Sequence, residues 1–220
     1  MPLDPLAPDL LNELAKHPGA EEVVLGGYFA LQRHLDYRTT HDVDAWWRTR
    51  ATQTAIESIR RAVAAVALKH QLQTRERRFG ETLAFDLLRD SRAVFSFQIA
   101  VRSLALDEPE MSPWPPIGIE TIRDNLGAKM NALVDRGAPR DFLDIYHAVH
   151  AGLLTADECW TLWTCKNPNE TLREAMQKVS YHLTALEHRR PLDSIVDDSA
   201  RAQASAVRDW FRNIFVRRES

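Results

Sequence analysis

Apolar positions along the first hundred residues change their period repeatedly, and each change marks an element. Between residues 9 and 17, Leu10, Leu11 and Leu14 recur at the spacing that places side chains on one helical face. Glu22-Val23-Val24-Leu25 is a short apolar run that fits a buried strand, stopped by Gly26-Gly27. A helix is expected from Tyr28 to about Leu35, then a polar turn from Asp36 to Thr40, then a second strand from His41 to Trp47. Thr52 to Leu68 carries the clearest helical pattern, with Ile56, Ile59, Val63 and Val66 at helical intervals and alanines between them. The pattern then turns extended over 71–78, 81–88 and 93–101. Phe79-Gly80 and Arg89-Asp90-Ser91 supply the turns, which predicts an antiparallel meander.

A break follows at Asp107 to Pro116, where four prolines fall between positions 109 and 116. Beyond Glu120 the periodicity is helical, with helices expected near 120–136, 140–150, 155–164, 169–188 and 198–217. The reading is an α+β unit over residues 1–108, a mixed sheet with flanking helices, followed by a helical bundle over 117–220. No internal repeat is evident.

Composition narrows the class only a little. A chain of 220 residues with 45% hydrophobic and 27% charged residues suits an ordinary globular protein. The formal net charge of -3 argues against a surface given over wholly to nucleic acid, while leaving room for a local basic patch. No apolar run approaches the ~20 residues that span a bilayer. Met1-Pro2-Leu3-Asp4-Pro5 has neither the basic start nor the apolar stretch of a secretion signal, and two cysteines imply no disulfide framework. A cytoplasmic setting without membrane contact is expected.

The chemistry concentrates between Gly26 and Asp44. Alternate side chains of a strand share a face, so Asp42 and Asp44 point the same way, roughly 7 Å apart by strand rise. Two such carboxylates repel unless a cation lies between them. Mg²⁺ (or Mn²⁺) suits the position, because it takes oxygen ligands from carboxylates and substrate phosphates together. Gly26-Gly27, between a strand and a helix, offers backbone N–H groups and close approach to a phosphate. Either feature alone is commonly a turn or solvated surface. Together, in this order, they supply what phosphoryl-type transfer from a nucleoside triphosphate (NTP) requires.

The segment Gly26-Gly27 followed by Arg38-x-Thr40-x-Asp42-Val43-Asp44 resembles the AbiEii/MenA group of nucleotidyltransferases, toxin components of bacterial toxin–antitoxin systems. A second block, Lys129-Met130-Asn131-Ala132-Leu133, Arg136 and Arg140-Asp141-Phe142-Leu143-Asp144, is similar to that group's lysine-to-Arg-Asp-x-x-Asp motif. The two blocks span roughly residues 22–150, and the last seventy residues carry no motif of their own. The resemblance implies that Lys129 binds nucleotide phosphate and that Asp144 is catalytic, orienting Lys129 or acting as a base. It also implies a tRNA acceptor end as substrate, growth arrest as outcome and a cognate antitoxin as partner.

The residues also speak for themselves. Ile122, Leu126, Met130 and Leu133 form an apolar stripe that contains Lys129, a costly place for an ammonium unless an anion meets it. Asp141, near a helix start, either favours that terminus by its charge or contacts nucleotide. Asp144 is expected to face inward, where an ion pair with Arg140 or Lys129 competes with catalysis. Arg38 and Thr40 share the alternation of the acidic strand and are candidate nucleotide contacts. A third carboxylate is in doubt: Asp86 is the candidate, and the next strand, Phe95-Ser96-Phe97-Gln98-Ile99, carries no acid.

Other signals are weaker. His147, His150, Cys159 and Cys165 could be drawn as a zinc site, but the cysteine spacing matches no familiar finger. Trp46 and Trp47 flank the acidic strand as core residues or as a base-stacking platform. Arg75-Glu76-Arg77-Arg78, Arg189-Arg190 and Arg217-Arg218 are basic clusters, either solvated surface or, if gathered round the site, contacts for a polyanion. The expected reaction moves an NMP from an NTP to an acceptor. The alternatives are an aminoglycoside-like small molecule or a protein hydroxyl as acceptor, or a degenerate fold that binds nucleotide without turnover.

Overall fold

A computed structural model describes residues 4–102 and 104–217, and the chain divides into two compact units, residues 1–125 and 126–220. The first is built on one mixed sheet of seven strands. In chain order they are β1 (Val23–Leu25), β2 (Asp42–Trp47), β3 (Gln73–Phe79), β4 (Thr82–Arg89), β5 (Arg92–Ala100), β6 (Glu110–Met111) and β7 (Gly118–Ile119), and in space they run β3-β4-β5-β2-β1-β7-β6. The expected meander is present, since β3, β4 and β5 pair antiparallel. Strand β2 then lies parallel to β5 and antiparallel to β1.

Alternation along the strands divides the sheet into two unlike faces. Val43, Ala45, Trp47, Leu83, Phe85, Leu87, Phe95, Phe97 and Ile99 are buried on one side. They join a single core with Leu10, Leu11 and Leu14 of α1 (Leu6–Leu14) and with Ile56, Ile59, Val63 and Val66 of α3 (Gln53–Lys69). Thr52 caps α3 by accepting from the Ala55 N–H at 3.2 Å, which satisfies one of the donors that every helix start leaves open. Asp42, Asp44 and Trp46 take the opposite face and are half-buried.

Two expectations are corrected here. The proline-rich stretch is not where the two units part: β6 lies within it and β7 just after it, and they extend the sheet, β7 pairing with β1 and β6 with β7. Its prolines fall on both sides of β6, and β6 and β7 are two residues long each, too short for any periodicity to show. The helix after Gly26 is also shorter than expected, α2 spanning Gly27–Leu31 only.

Helix α4 (Ile122–Asp135) begins in the first unit and continues into the second. The second unit otherwise contains α5 (Pro139–His150), α6 (Ala156–Lys166), α7 (Leu172–Arg189) and α8 (Asp198–Trp210), the last followed by a wider helical turn over Phe211–Phe215. Its aromatic residues pack on one another: Phe142 meets Phe211 edge-on at 4.8 Å, and Trp160 donates through Nε1 to the Phe215 carbonyl at 3.0 Å. Arg218 lies outside the described residues.

Candidate active site

Local backbone geometry joins the glycine pair to the acidic strand. The β1–β2 ladder runs on past Leu25, with the Gly26 N–H donating to the Asp44 carbonyl at 2.8 Å. Gly27 then takes φ +60°, a left-handed conformation that side chains disfavour. A Cβ at Gly27 would lie 2.8 Å from Asp44 Cβ and closer still to its carboxylate, and one at Gly26 would lie 2.7 Å from Glu120 Oε2 and 3.0 Å from Trp46 Cδ1. Both glycines are therefore required by close approach, and Gly27 by torsion as well. The turn is folded directly onto the polar face of β2.

Two residues earlier on the same face of the strand, Asp42 borders an open cleft of about 800 Å³. Arg38, Thr40, Ser96, Asp86 and Arg89 also line it. Thr40 Oγ1 donates to Asp42 Oδ1, and the Arg38 guanidinium lies 3.5 Å from the centre of the Tyr28 ring. The tyrosine hydroxyl in turn donates to the Arg38 carbonyl at 3.0 Å. The two carboxylates thus stand between the glycine turn and the cleft, with Asp44 against the turn and Asp42 at the cleft.

Strand pairing shows where the candidate third carboxylate lies. Ser96 and Gln98 of β5 sit opposite Asp42 and Asp44, so the strand beside the pair carries no acid there. Asp86 belongs to β4, one strand further out, opposite Ser96. Its buried carboxylate accepts from Arg75 Nε and Nη2 at 2.9 and 2.8 Å and from Arg77 Nη2 at 3.1 Å. Among the described residues no three His, Cys, Asp or Glu side chains gather as a metal cluster. Asp42 and Asp44 are the residues that would hold a divalent ion, a pair of carboxylates being a donor set that Mg²⁺ accepts together with phosphate oxygens and water.

A second layer was not legible in the sequence. Asn125, buried in the first turn of α4, donates through Nδ2 to the Gly27 carbonyl at 2.9 Å and to Glu120 Oε2 at 2.8 Å. Arg102 pairs with Glu120 at 3.0 Å and with Asp124, which also accepts from the Leu106 and Asp107 N–H groups at 2.9 Å. This buried network props the glycine turn from behind. Its members are remote in sequence from Gly27, and the apolar stripe of α4 drew attention to Leu126 onward instead.

Within the second unit, Lys129 Nζ lies 2.6 Å from Asp144 Oδ2, and both residues are buried. The contact is the ion pair expected as one alternative for Asp144. A fully buried carboxylate already on an ammonium is badly placed to take a proton from an incoming hydroxyl. Asp141 accepts from Arg136 Nε and Nη2, each at 2.9 Å, and from the Ala138 N–H at 3.0 Å. It ties down the start of α5.

Of the drawn zinc ligands, the two histidines are otherwise engaged, Cys159 is buried and Cys165 is exposed. His150 stacks on Tyr146 at 3.8 Å, and His147 Nε2 lies 3.0 Å from Gln203 Nε2. Burial, and then the neighbouring His150, lower the His147 pKa. Burial pushes the Cys159 thiol up to about 12, which leaves it inert as a thiolate ligand. Trp47 is core and donates to the Glu81 carbonyl at 2.8 Å, whereas Trp46 shares the face of the two acids.

A mixed sheet with two acids on one strand face, approached by a Gly-Gly turn from the neighbouring strand, is a nucleotidyltransferase-like architecture. The family described as "Nucleotidyl transferase AbiEii toxin, Type IV TA system" matches residues 9–213, and the chain belongs to that family. The match takes in the carboxy-terminal helices, for which the motifs alone offered no assignment. No curated protein matches the chain. No helix among the described residues is long and apolar enough to cross a membrane.

Proposed function

We infer that the protein moves a nucleoside monophosphate from an NTP to an acceptor hydroxyl, with Asp42 and Asp44 holding Mg²⁺ or Mn²⁺. The acceptor oxygen forms a bond to the α-phosphorus, the α–β phosphoanhydride bond breaks, pyrophosphate leaves, and the hydroxyl proton passes to solvent. The ion, when bound, would offset phosphate charge as it develops. Asp42 and Asp44 supply its protein ligands, and Gly26-Gly27 bring backbone within reach of the phosphates. Thr40 steadies the Asp42 carboxylate, and Arg38 is assigned to the nucleotide. Lys129, held by Asp144, is assigned the charge of the triphosphate, and Asp141 acts on Arg136.

One observation carries the reading: Asp44 is packed against a glycine turn that would reject any side chain, while its partner Asp42 opens onto a cleft. That arrangement gives the donor and the acceptor separate approaches to a single pair of acids. By family, the chain is the toxin half of a toxin–antitoxin pair, and we assign it a cytoplasmic tRNA acceptor end as substrate and a cognate antitoxin as partner.

The test is transfer of label from each α-labelled NTP to total RNA, to protein and to an aminoglycoside in separate reactions with Mg²⁺ or Mn²⁺. Label on RNA, with pyrophosphate released and none of either without metal, supports the proposal. Label on protein or aminoglycoside alone would replace the acceptor. Failure of every NTP with every acceptor would leave a nucleotide-binding fold without turnover.

A further inference from the structure

Arg75, Asp86, Ser96 and Asp42 stand opposite one another on four successive strands, β3, β4, β5 and β2. Paired positions share a face, so the row crosses the open side of the sheet from its edge to the acidic pair, roughly 14 Å at about 4.8 Å per strand. Asp86 is only 3% exposed, yet it carries two guanidinium groups that are each about half exposed. One negative charge facing two positive charges leaves the edge cationic. Arg89, exposed on the rim of the same cleft, adds a further charge, and Arg38 lines the cleft beside Asp42. The chain as a whole is net negative, so this concentration of arginine is local and not compositional.

We propose that Arg75, Arg77 and Arg89 form a phosphate-binding strip for the strand of a single-stranded RNA whose end is delivered to Asp42, and that Asp86 is its positioning residue. The proposal rests on the transferase reading above and names the surface that grips the acceptor. A small acceptor would be satisfied within the cleft and would not reach the β3 edge. A ligand with repeating anions would reach it. Arg75 and Arg77 are two residues apart on one strand, about 7 Å by strand rise, a spacing that successive phosphates of an extended strand can match. Guanidinium is suited to the task because its fork can keep Asp86 with some donors and present the others to phosphate. In this proposal Asp86 holds the two arginines in place and is not a third metal ligand.

The experiment is fluorescence anisotropy of a labelled single-stranded RNA oligonucleotide titrated with the whole protein over a range of salt. Binding of a non-hydrolysable NTP analogue with Mg²⁺ is measured in parallel. The double variant Arg75→Gln/Arg77→Gln, which keeps donors near Asp86, is expected to bind RNA about tenfold more weakly. Its salt slope should fall by roughly 1.4, about 0.7 for each phosphate no longer neutralised. Arg89→Gln, which leaves Asp86 untouched, should weaken binding a few-fold. Asp86→Asn removes a negative charge, so a patch acting by charge alone would bind more tightly, whereas a positioned strip binds more weakly.

Unchanged affinity and slope in the folded double and Arg89 variants would overturn the strip, as would a wild-type protein that does not bind RNA. Tighter binding by Asp86→Asn would overturn its positioning role. Binding of the NTP analogue reports separately on the transferase reading, because none of the three variants touches Asp42, Asp44 or the glycine turn.

Discussion

The two faces of the sheet are made by the same strands and obey opposite rules. In β2, Val43, Ala45 and Trp47 are buried under helices, whereas Asp42, Asp44 and Trp46 stand half-buried between a glycine turn and a cleft. The apolar face contributes stability in proportion to the area it removes from water. The polar face holds the residues proposed above to carry the chemistry. A period of two thus encodes core and candidate site at once, and a change on one face should leave the other nearly untouched.

The severest loss of activity should come from the polar face alone. Asp42→Asn or Asp44→Asn should lower nucleotidyl transfer about a thousandfold or more, as the metal's charge stabilisation is lost. Thermal melting of the same variants should stay close to wild type, and a collapse in melting would mean that the acids are structural. The converse substitution is Phe97→Ala on the buried face, expected to cost about 3–5 kcal/mol by denaturant unfolding. Transfer per folded molecule, measured well below its melting temperature, should then remain within a few-fold of wild type.

Smaller changes probe the seam between turn and strand. Gly27→Ala meets both a positive φ and the Asp44 side chain, so more than about 1 kcal/mol of stability should be lost along with most activity. Asn125→Ala removes the donor to the Gly27 carbonyl and leaves buried acceptors unmet, a cost of roughly 1–3 kcal/mol. If the network positions the turn, the KM for NTP should rise about tenfold in this variant, and kcat should change less. A stability loss with unchanged KM would reduce Asn125 to a structural residue.

Much of this was legible in the chain because periodicity and alternation are local. The apolar stripe of α3, the three strands of the meander and the shared face of Asp42 and Asp44 each follow from residues within one element. Partnerships across elements were not legible. Nothing near Asp86 announces that its carboxylate is held by Arg75 and Arg77, since the pairing depends on the register of β3 against β4. Asn125 meets Gly27 only because the chain returns after ninety-eight residues. The short strands β6 and β7 escaped notice because two residues are too few to show alternation.

Every catalytic role assigned above depends on Asp42 and Asp44 together holding a divalent ion against an NTP. Mn²⁺ binding can be followed by electron paramagnetic resonance, with and without a non-hydrolysable NTP analogue. Wild-type protein is expected to bind the ion tightly only with nucleotide present, and Asp44→Asn, folded to the same extent, to lose that nucleotide-dependent site. Equal Mn²⁺ binding by the two proteins in the presence of nucleotide would show that the acids do not hold the ion.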